Sequence, residues 1–331
     1  MDKDELNKYF SDLNFYRVTK KQKSKTREYI ADSLQELYEL ECHSKWPCLS
    51  LNSITPISRC CNLESKNSNY KILLMAHYDT HDLRHNYISA YLTRKFQYGN
   101  WIFKIFSLFL FITSLTIFTD VLKATLNLSK MVTFIIFFII TFLSLGGIPV
   151  YILRFKKSKS FPIHDDNNSG VIALINIAKL LHKKGYGDKI KLLFTDCEEK
   201  GLLGSKIFIK NNLDDLQNKI IINFDCVGRG SNIFITSKNN SELAKEFQSF
   251  LYSNGIESTL YAKSYSDDNS FQKHNLNSIG LIRGDLAPNG ITLLHWTHTA
   301  HDTLNNINLN YMTEIIETIT QFIELKIKDL E

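Results

Sequence analysis

The sequence predicts an α/β protein, a three-layer α/β/α sandwich on a mostly parallel sheet, into which a helical hairpin is inserted. Three observations lead there. Apolar runs bounded by polar residues, of a length suited to buried strands, occur at 70–76 (YKILLMA), 189–195 (KIKLLFT) and 219–224 (KIIINF). Helical patterns lie between or after them, at 170–183, 201–212, 240–254 and 308–328, and strand alternating with helix places helices on both faces of a parallel sheet. Two long apolar runs interrupt this alternation between His81 and Ser160.

Taken in order, the first element is an amphipathic surface helix over 21–42, where Tyr29, Ile30, Leu34, Leu37, Tyr38 and Leu40 recur at helical spacing. The three strands and the helices between them follow, and a helix near 308–328 closes the domain. With 331 residues, 44% of them hydrophobic, the chain suits one sizeable core with an appendage. The expected organisation is a discontinuous domain, 1–81 and 161–331, around an insertion at 82–160.

In the insertion, residues 131–153 contain no formally charged side chain, and 101–119 contain only Lys104. As helices these runs span roughly 34 and 28 Å, against a hydrocarbon layer of about 30 Å. They are expected to be transmembrane helices, with Lys104 near enough to one end to snorkel. Arg84, Arg94, Lys95, Lys104, Arg154, Lys156, Lys157 and Lys159 flank them on one side, whereas the connecting loop 120–130 carries only Lys123 and Lys130. That asymmetry predicts a multi-pass membrane protein whose main domain faces the cytoplasm. The charged N-terminus MDKDELNKYF lacks the apolar core of a secretory signal, in keeping with this expectation.

The net charge of +5 arises from 39 basic and 34 acidic residues spread along the chain, without the basic stripe of a nucleic-acid reader. Nucleic acid is not an expected partner. The six cysteines, Cys42, Cys48, Cys60, Cys61, Cys197 and Cys226, show no paired metal-site spacing and read as free, mostly buried thiols.

Chemistry concentrates where the buried strands end, which is where open α/β sheets build their sites. His77 follows the first strand in MAHYDT, with Asp79 placed to hold the imidazole tautomer. Asp166 lies in the run Asp165-Asp166-Asn167-Asn168-Ser169, which also reads as an ordinary turn and helix cap. The adjacent acids Glu198 and Glu199 end the second strand and call for a cation. Asp225 ends the third strand, and His298 lies in WTHTAHDT.

In order and context these residues resemble the co-catalytic zinc aminopeptidase family, which includes relatives of glutamate carboxypeptidase and glutaminyl cyclase. The resemblance runs over 70–80 and 161–305, through MAHYDT, DDNNSG, EEKGLLGS, NFDCVG, YSDDNSF and HTAHDT. It implies a mixed, mostly parallel zinc-exopeptidase-like sheet and two Zn2+ per chain, one held by His77, Asp166 and Asp225, the other by Asp166, Glu199 and His298. It further implies Glu198 as general base, Asp79 as orienter of His77, and supporting places for Asp267 and Asp302. The implied activity is hydrolysis of peptide bonds by an aminopeptidase, with a metal-bound hydroxide attacking the carbonyl. The alternatives are a single-zinc glutaminyl-peptide cyclase and a catalytically inactive membrane scaffold.

Two positions depart from the family pattern. Thr297 precedes His298 where many relatives have a tyrosine, leaving Tyr261 or Tyr265 as candidates for holding the oxyanion. Asp268 follows Ser266-Asp267 where relatives usually have a histidine.

Overall fold

The computed structural model describes residues 2–49, 57–81, 164–239, 241–262, 266–286, 292–293, 297 and 302–330, with scattered positions between 113 and 135. Chain contacts divide it into two compact units, Met1–His81 with Ser160–Glu331, and Asp82–Lys159.

The larger unit begins with helices α1 (Lys3–Asp12) and α2 (Lys20–Leu34) and an antiparallel hairpin of β1 (Leu40–Leu49) and β2 (Ile57–Ser65). There follow β3 (Ile72–His77), α3 (Gly170–Lys183), β4 (Ile190–Thr195), α4 (Leu203–Asn212), β5 (Ile220–Phe224) and β6 (Asn232–Thr236). The unit ends with α5 (Glu242–Ser253), β7 (Ser258–Tyr261), α6 (Asp268–Lys273), β8 (Ser278–Leu286), the short β9 (Thr292–Leu293) and α7 (Leu309–Asp329).

The sheet runs β1-β2-β4-β3-β5-β8-β6-β7, with β9 on β8. Its centre, β4-β3-β5-β8, is parallel, and antiparallel pairs join it to β2 and β6. Period-two alternation sends Ile72, Leu74 and Ala76 of β3 into the larger hydrophobic cluster, and Leu73 and Met75 into a smaller one on the other face. In β5, Ile220, Ile222 and Phe224 likewise separate from Ile221. Helices α3, α5 and α7 contribute to the first cluster and α4 and α6 to the second, producing the expected three layers. Each fully buried Leu or Ile contributes roughly 1.5–3 kcal/mol, so the central strands are held firmly from both faces.

Two expectations need correction. The amphipathic helix ends at Leu34, and from Leu40 the chain is a strand. Leu37 and Tyr38 continue the helical spacing of apolar residues, but their N–H groups close a final turn onto the Leu34 carbonyl and the Tyr38 hydroxyl donates to the Ala178 carbonyl on α3. The cysteines are not all free, because Cys42 on β1 and Cys61 on β2 form a disulfide across the hairpin, with Cα atoms 6.1 Å apart. Ser44 is the residue directly opposite Cys61, so the bond is diagonal. Cys48, Cys60, Cys197 and Cys226 are free and buried.

In the unit Asp82–Lys159, Thr113, Thr116, Phe118, Asp120, Ala124, Met131, Val132 and Ile135 are helical. Phe118, Met131, Val132 and Ile135 expose large apolar surface. Among the described residues no helix is long and apolar enough to cross a membrane, and the runs 101–119 and 131–153 lie largely outside them.

Candidate metal centre

The parallel strands β3, β4 and β5 lie side by side and end on the same edge, so the polar residues that follow each are delivered to one place. His77, the last residue of β3, is buried. Its Nδ1 faces Asp79, at 3.1 Å from the carbonyl oxygen and 3.6 Å from Oδ1. Its Nε2 points to two carboxylates, 3.3 Å from Asp166 Oδ1 and 3.5 Å from Asp225 Oδ1. The ligand-type atoms of His77, Asp166 and Asp225 all lie within 4.8 Å of one another.

Asp225 directly follows β5 and is fixed by its N–H donating to the Leu281 carbonyl on β8. Asp166 sits in an irregular turn, Asp165–Ser169, that leads into α3. The N–H groups of Asp165 and Asp166 donate to the two oxygens of the Asp302 carboxylate, at 2.7 and 3.1 Å. Asn167 ties the turn to β5 through the Phe224 carbonyl at 2.9 Å, and the Asp165 carboxylate accepts the Gly228 N–H at 2.8 Å. Gly170 opens α3 because a Cβ there would lie 2.5 Å from the Phe224 carbonyl oxygen. The helix cap expected in this run is supplied by Asn167, whose Oδ1 accepts the Gly170 N–H at 2.9 Å, while the Ser169 hydroxyl donates to the Asp165 carbonyl and accepts the Val227 N–H.

Glu198 and Glu199 form a short turn after β4. The Glu198 N–H donates to Asp79 Oδ1 at 3.0 Å, so the carboxylate behind His77 also positions the backbone of Glu198. Glu199 Oε2 is 3.9 Å from His81 Nε2. His298, Tyr265, His295 and His301 lie outside the described residues. Tyr261 is exposed on β7, and His164 is buried against Phe10. Asp267 is buried and accepts from the Thr195 hydroxyl at the end of β4. Asp268 accepts from Thr236 at 2.7 Å and Gln272 at 2.8 Å inside the fold, which gives this departure from the family pattern a structural role.

Several residues of the site carry no mark in the sequence. Arg17, between α1 and α2, is fully buried, and its Nε donates to the Tyr78 carbonyl at 2.5 Å. Burial pulls its guanidinium down to about 10, while Asp79, Asp166 and Asp302 act to keep it charged. Lys23 of α2 is also buried; its ammonium pairs with Asp196 and lies 3.9 Å from Asp79 Oδ2. Only Asp196 had a local signal, as an acid at a strand end two residues before Glu198.

The electrostatics describe a surplus of negative charge. Burial opposes ionisation of Asp79, but Lys23, His77 and the Glu198 N–H outweigh it and hold the carboxyl below its ordinary value. Burial raises Asp165 to about 8, reinforced by Asp302, and raises Asp302 and Asp267 each to about 6. Withdrawal from bulk water, with Glu199, Asp225 and Asp267 adding to it, holds Glu198 well above the carboxylate range despite the opposing pull of His77. Burial works against protonation of His77, yet Glu198, Asp166, Asp225 and Asp79 hold it well above its usual value. Asp225 Oδ1 is buried without a hydrogen-bond partner among the described residues. Two carboxylates converging on one imidazole nitrogen, in a pocket with excess anionic groups, fit a divalent cation with borderline ligand preference.

The strand order and this cluster define a three-layer α/β fold with a candidate metal site at the ends of its parallel strands. Residues 164–323 match the model of peptidase family M28. Leucine aminopeptidase 2 of Trichophyton rubrum is 31% identical over 137 residues, 36% of this chain and 27% of the relative. The match thus spans about a quarter of that relative's length. Among solved structures, the glutaminyl cyclase of Porphyromonas gingivalis shares the fold with a TM-score of 0.64 at 16% identity, covering 98% of each chain. A Zn-dependent exopeptidase from Parabacteroides distasonis aligns with a TM-score of 0.61 at 17% identity, covering 97% of each chain.

Proposed function

We propose that the chain is a membrane-anchored zinc aminopeptidase that removes N-terminal residues from peptides, with His77, Asp166 and Asp225 holding one zinc and Asp166, Glu199 and His298 the other. The observation that carries the reading is the convergence of His77, Asp166 and Asp225 within 4.8 Å, from three separate segments of the chain. Zinc in this position supplies Lewis acidity, making water acidic near neutral pH and polarising the peptide carbonyl.

The residues do the rest. Asp79 holds Nδ1 of His77 and so fixes the tautomer that leaves Nε2 free for the metal. It also holds the Glu198 N–H, coupling the position of the base to that of the ligand. Glu198 accepts the proton of the attacking water on its carboxylate and returns it to the departing amine. Asp302 keeps Asp166 in place through the N–H groups of its turn.

The test combines metal analysis of the purified chain with turnover of free and N-acetylated leucyl peptides and of peptides beginning with Gln. Two zinc ions per chain and cleavage of the free peptide alone are expected. One zinc and ring closure of N-terminal Gln would replace the reading with a cyclase. Glu198→Gln should lower kcat by roughly 10²–10⁴-fold while zinc content is unchanged; loss of zinc instead would remove the base assignment.

The anchor is the apolar segment 101–153, and the flanking positive charges support a cytoplasmic catalytic unit. The Cys42–Cys61 disulfide bears on the same point from the other side, since such bonds persist in oxidising compartments. Resistance of the chain to alkaline extraction from membranes tests the anchor. Labelling of these two cysteines in intact cells tests the sidedness, and complete protection as a disulfide would reverse the proposed orientation.

A further inference from the structure

A second cluster of reactive side chains lies beneath the Glu198 turn. Cys60 of β2, Asp196 and Cys197 are buried, and their ligand-type atoms lie within 4.8 Å of one another. Cys48 of β1 packs in the same cluster. Two thiols and a carboxylate suggest a metal, but the place of the cation is taken. The Asp196 carboxylate binds the Lys23 ammonium and accepts the N–H groups of Cys61 at 3.0 Å and Cys197 at 2.7 Å. The same ammonium is 3.5 Å from Cys197 Sγ, so a divalent ion would have to expel a buried counter-charge. What remains is thiol chemistry: the sulfurs of Cys60 and Cys197 lie within 4.8 Å of each other, and the Lys23 ammonium is 3.5 Å from that of Cys197.

We propose that Cys60 and Cys197 are a reversible oxidation site at which a hydroperoxide converts two thiols to a disulfide and thereby displaces the Glu198 turn. In the first step the Cys197 sulfur attacks one oxygen of hydrogen peroxide and breaks the O–O bond, so that this oxygen stays on sulfur as a sulfenic acid and the other leaves as water. In the second, the Cys60 thiol attacks that sulfur, forming the S–S bond and releasing a second water. Cys60 and Cys197 are 1% and 0% exposed, so the oxidant the proposal needs is a small hydroperoxide, and glutathione disulfide is too large.

The consequence follows from chain connectivity. Cys197 adopts a left-handed conformation (φ 59°) immediately before Glu198, and its carbonyl accepts the N–H groups of Lys200 and Leu203. Closing the two sulfurs from that separation to a bond of about 2.05 Å draws Cys197 toward β2 by on the order of 1 Å. A misplacement of that size costs a positioned catalytic group as much as ~10²-fold. This activity arm rests on the proposed role of Glu198; the cross-link itself does not.

Peptide mass spectrometry of the full chain, without reduction, after hydrogen peroxide should find Cys60 joined to Cys197. Aminopeptidase turnover should fall at least 10-fold and return with dithiothreitol. Cys60→Ser should keep basal turnover, lose the cross-link and resist peroxide, while Cys48→Ser should behave like the parent chain. Failure to form the cross-link in the folded, zinc-loaded protein overturns the proposal, as does a cadmium–thiolate absorption band that Cys60→Ser abolishes. A cross-link in a protein that cleaves no peptide would leave this site standing and remove the proposed function.

Discussion

Replacing Lys23 with methionine keeps an unbranched side chain one atom shorter and removes its charge. Burial works against the ammonium, but Asp196 and Asp79 outweigh it and keep Lys23 firmly protonated. At an effective dielectric constant near 20, its attraction to Asp79 Oδ2 at 3.9 Å is about 4 kcal/mol before desolvation, and contact with Asp196 adds to that. Removing one partner from such a buried set leaves carboxylates uncompensated, at a cost of ~3–5 kcal/mol. The expected fall in Tm is on the order of 10 °C, read by thermal unfolding of the purified chain at fixed zinc concentration. Adding Asp196→Asn to Lys23→Met removes one stranded charge, so the double variant should be less impaired than the sum of the single ones, by roughly 2 kcal/mol. A Tm for Lys23→Met within about 2 °C of the parent, or strict additivity in the cycle, would refute the assignment of Lys23 as counter-charge for this side of the site.

Other perturbations address neighbouring parts of the same architecture. Asp302→Ala frees the N–H groups of Asp165 and Asp166, and zinc affinity measured against a competing chelator should weaken by about 10–100-fold, with unchanged affinity counting against the proposed support. Gly170→Ala places a methyl group against the Phe224 carbonyl oxygen and should destabilise the chain by roughly 1–3 kcal/mol, seen as a lower Tm. Chelation of zinc should lower Tm as well as turnover, since zinc at a hundred times its Kd contributes about 2.7 kcal/mol, and both should recover on adding the metal back.

How much of the site could be read along the chain depended on distance. His77, Glu198, Glu199 and Asp225 were legible as candidates because each lies at the end of a buried apolar strand or within four residues of it, so strand and candidate ligand appear in one local run. Asp166 was legible only in combination with them, since its own surroundings look like a common turn. The β1–β2 hairpin was missed because Leu37, Tyr38 and Leu40 prolong the helical spacing of α2, and because β1 lies at the sheet edge, paired on one side by β2. Its Pro47 and the register shift between Lys45 and Cys48 suit such an edge.

The sequence by itself determined the layered α/β class, the central strands and the acids at their ends, because hydrophobic periodicity and strand-end chemistry are local properties. Only the tertiary structure decided which distant groups stand behind them. Arg17 and Lys23 reach the site because α1 and α2 pack onto the core; Asp302 reaches it from beyond β9; and Cys42 meets Cys61 only across a hairpin. Buried charge must be compensated wherever it lies in space, and the chain does not mark in its order which residue will do so.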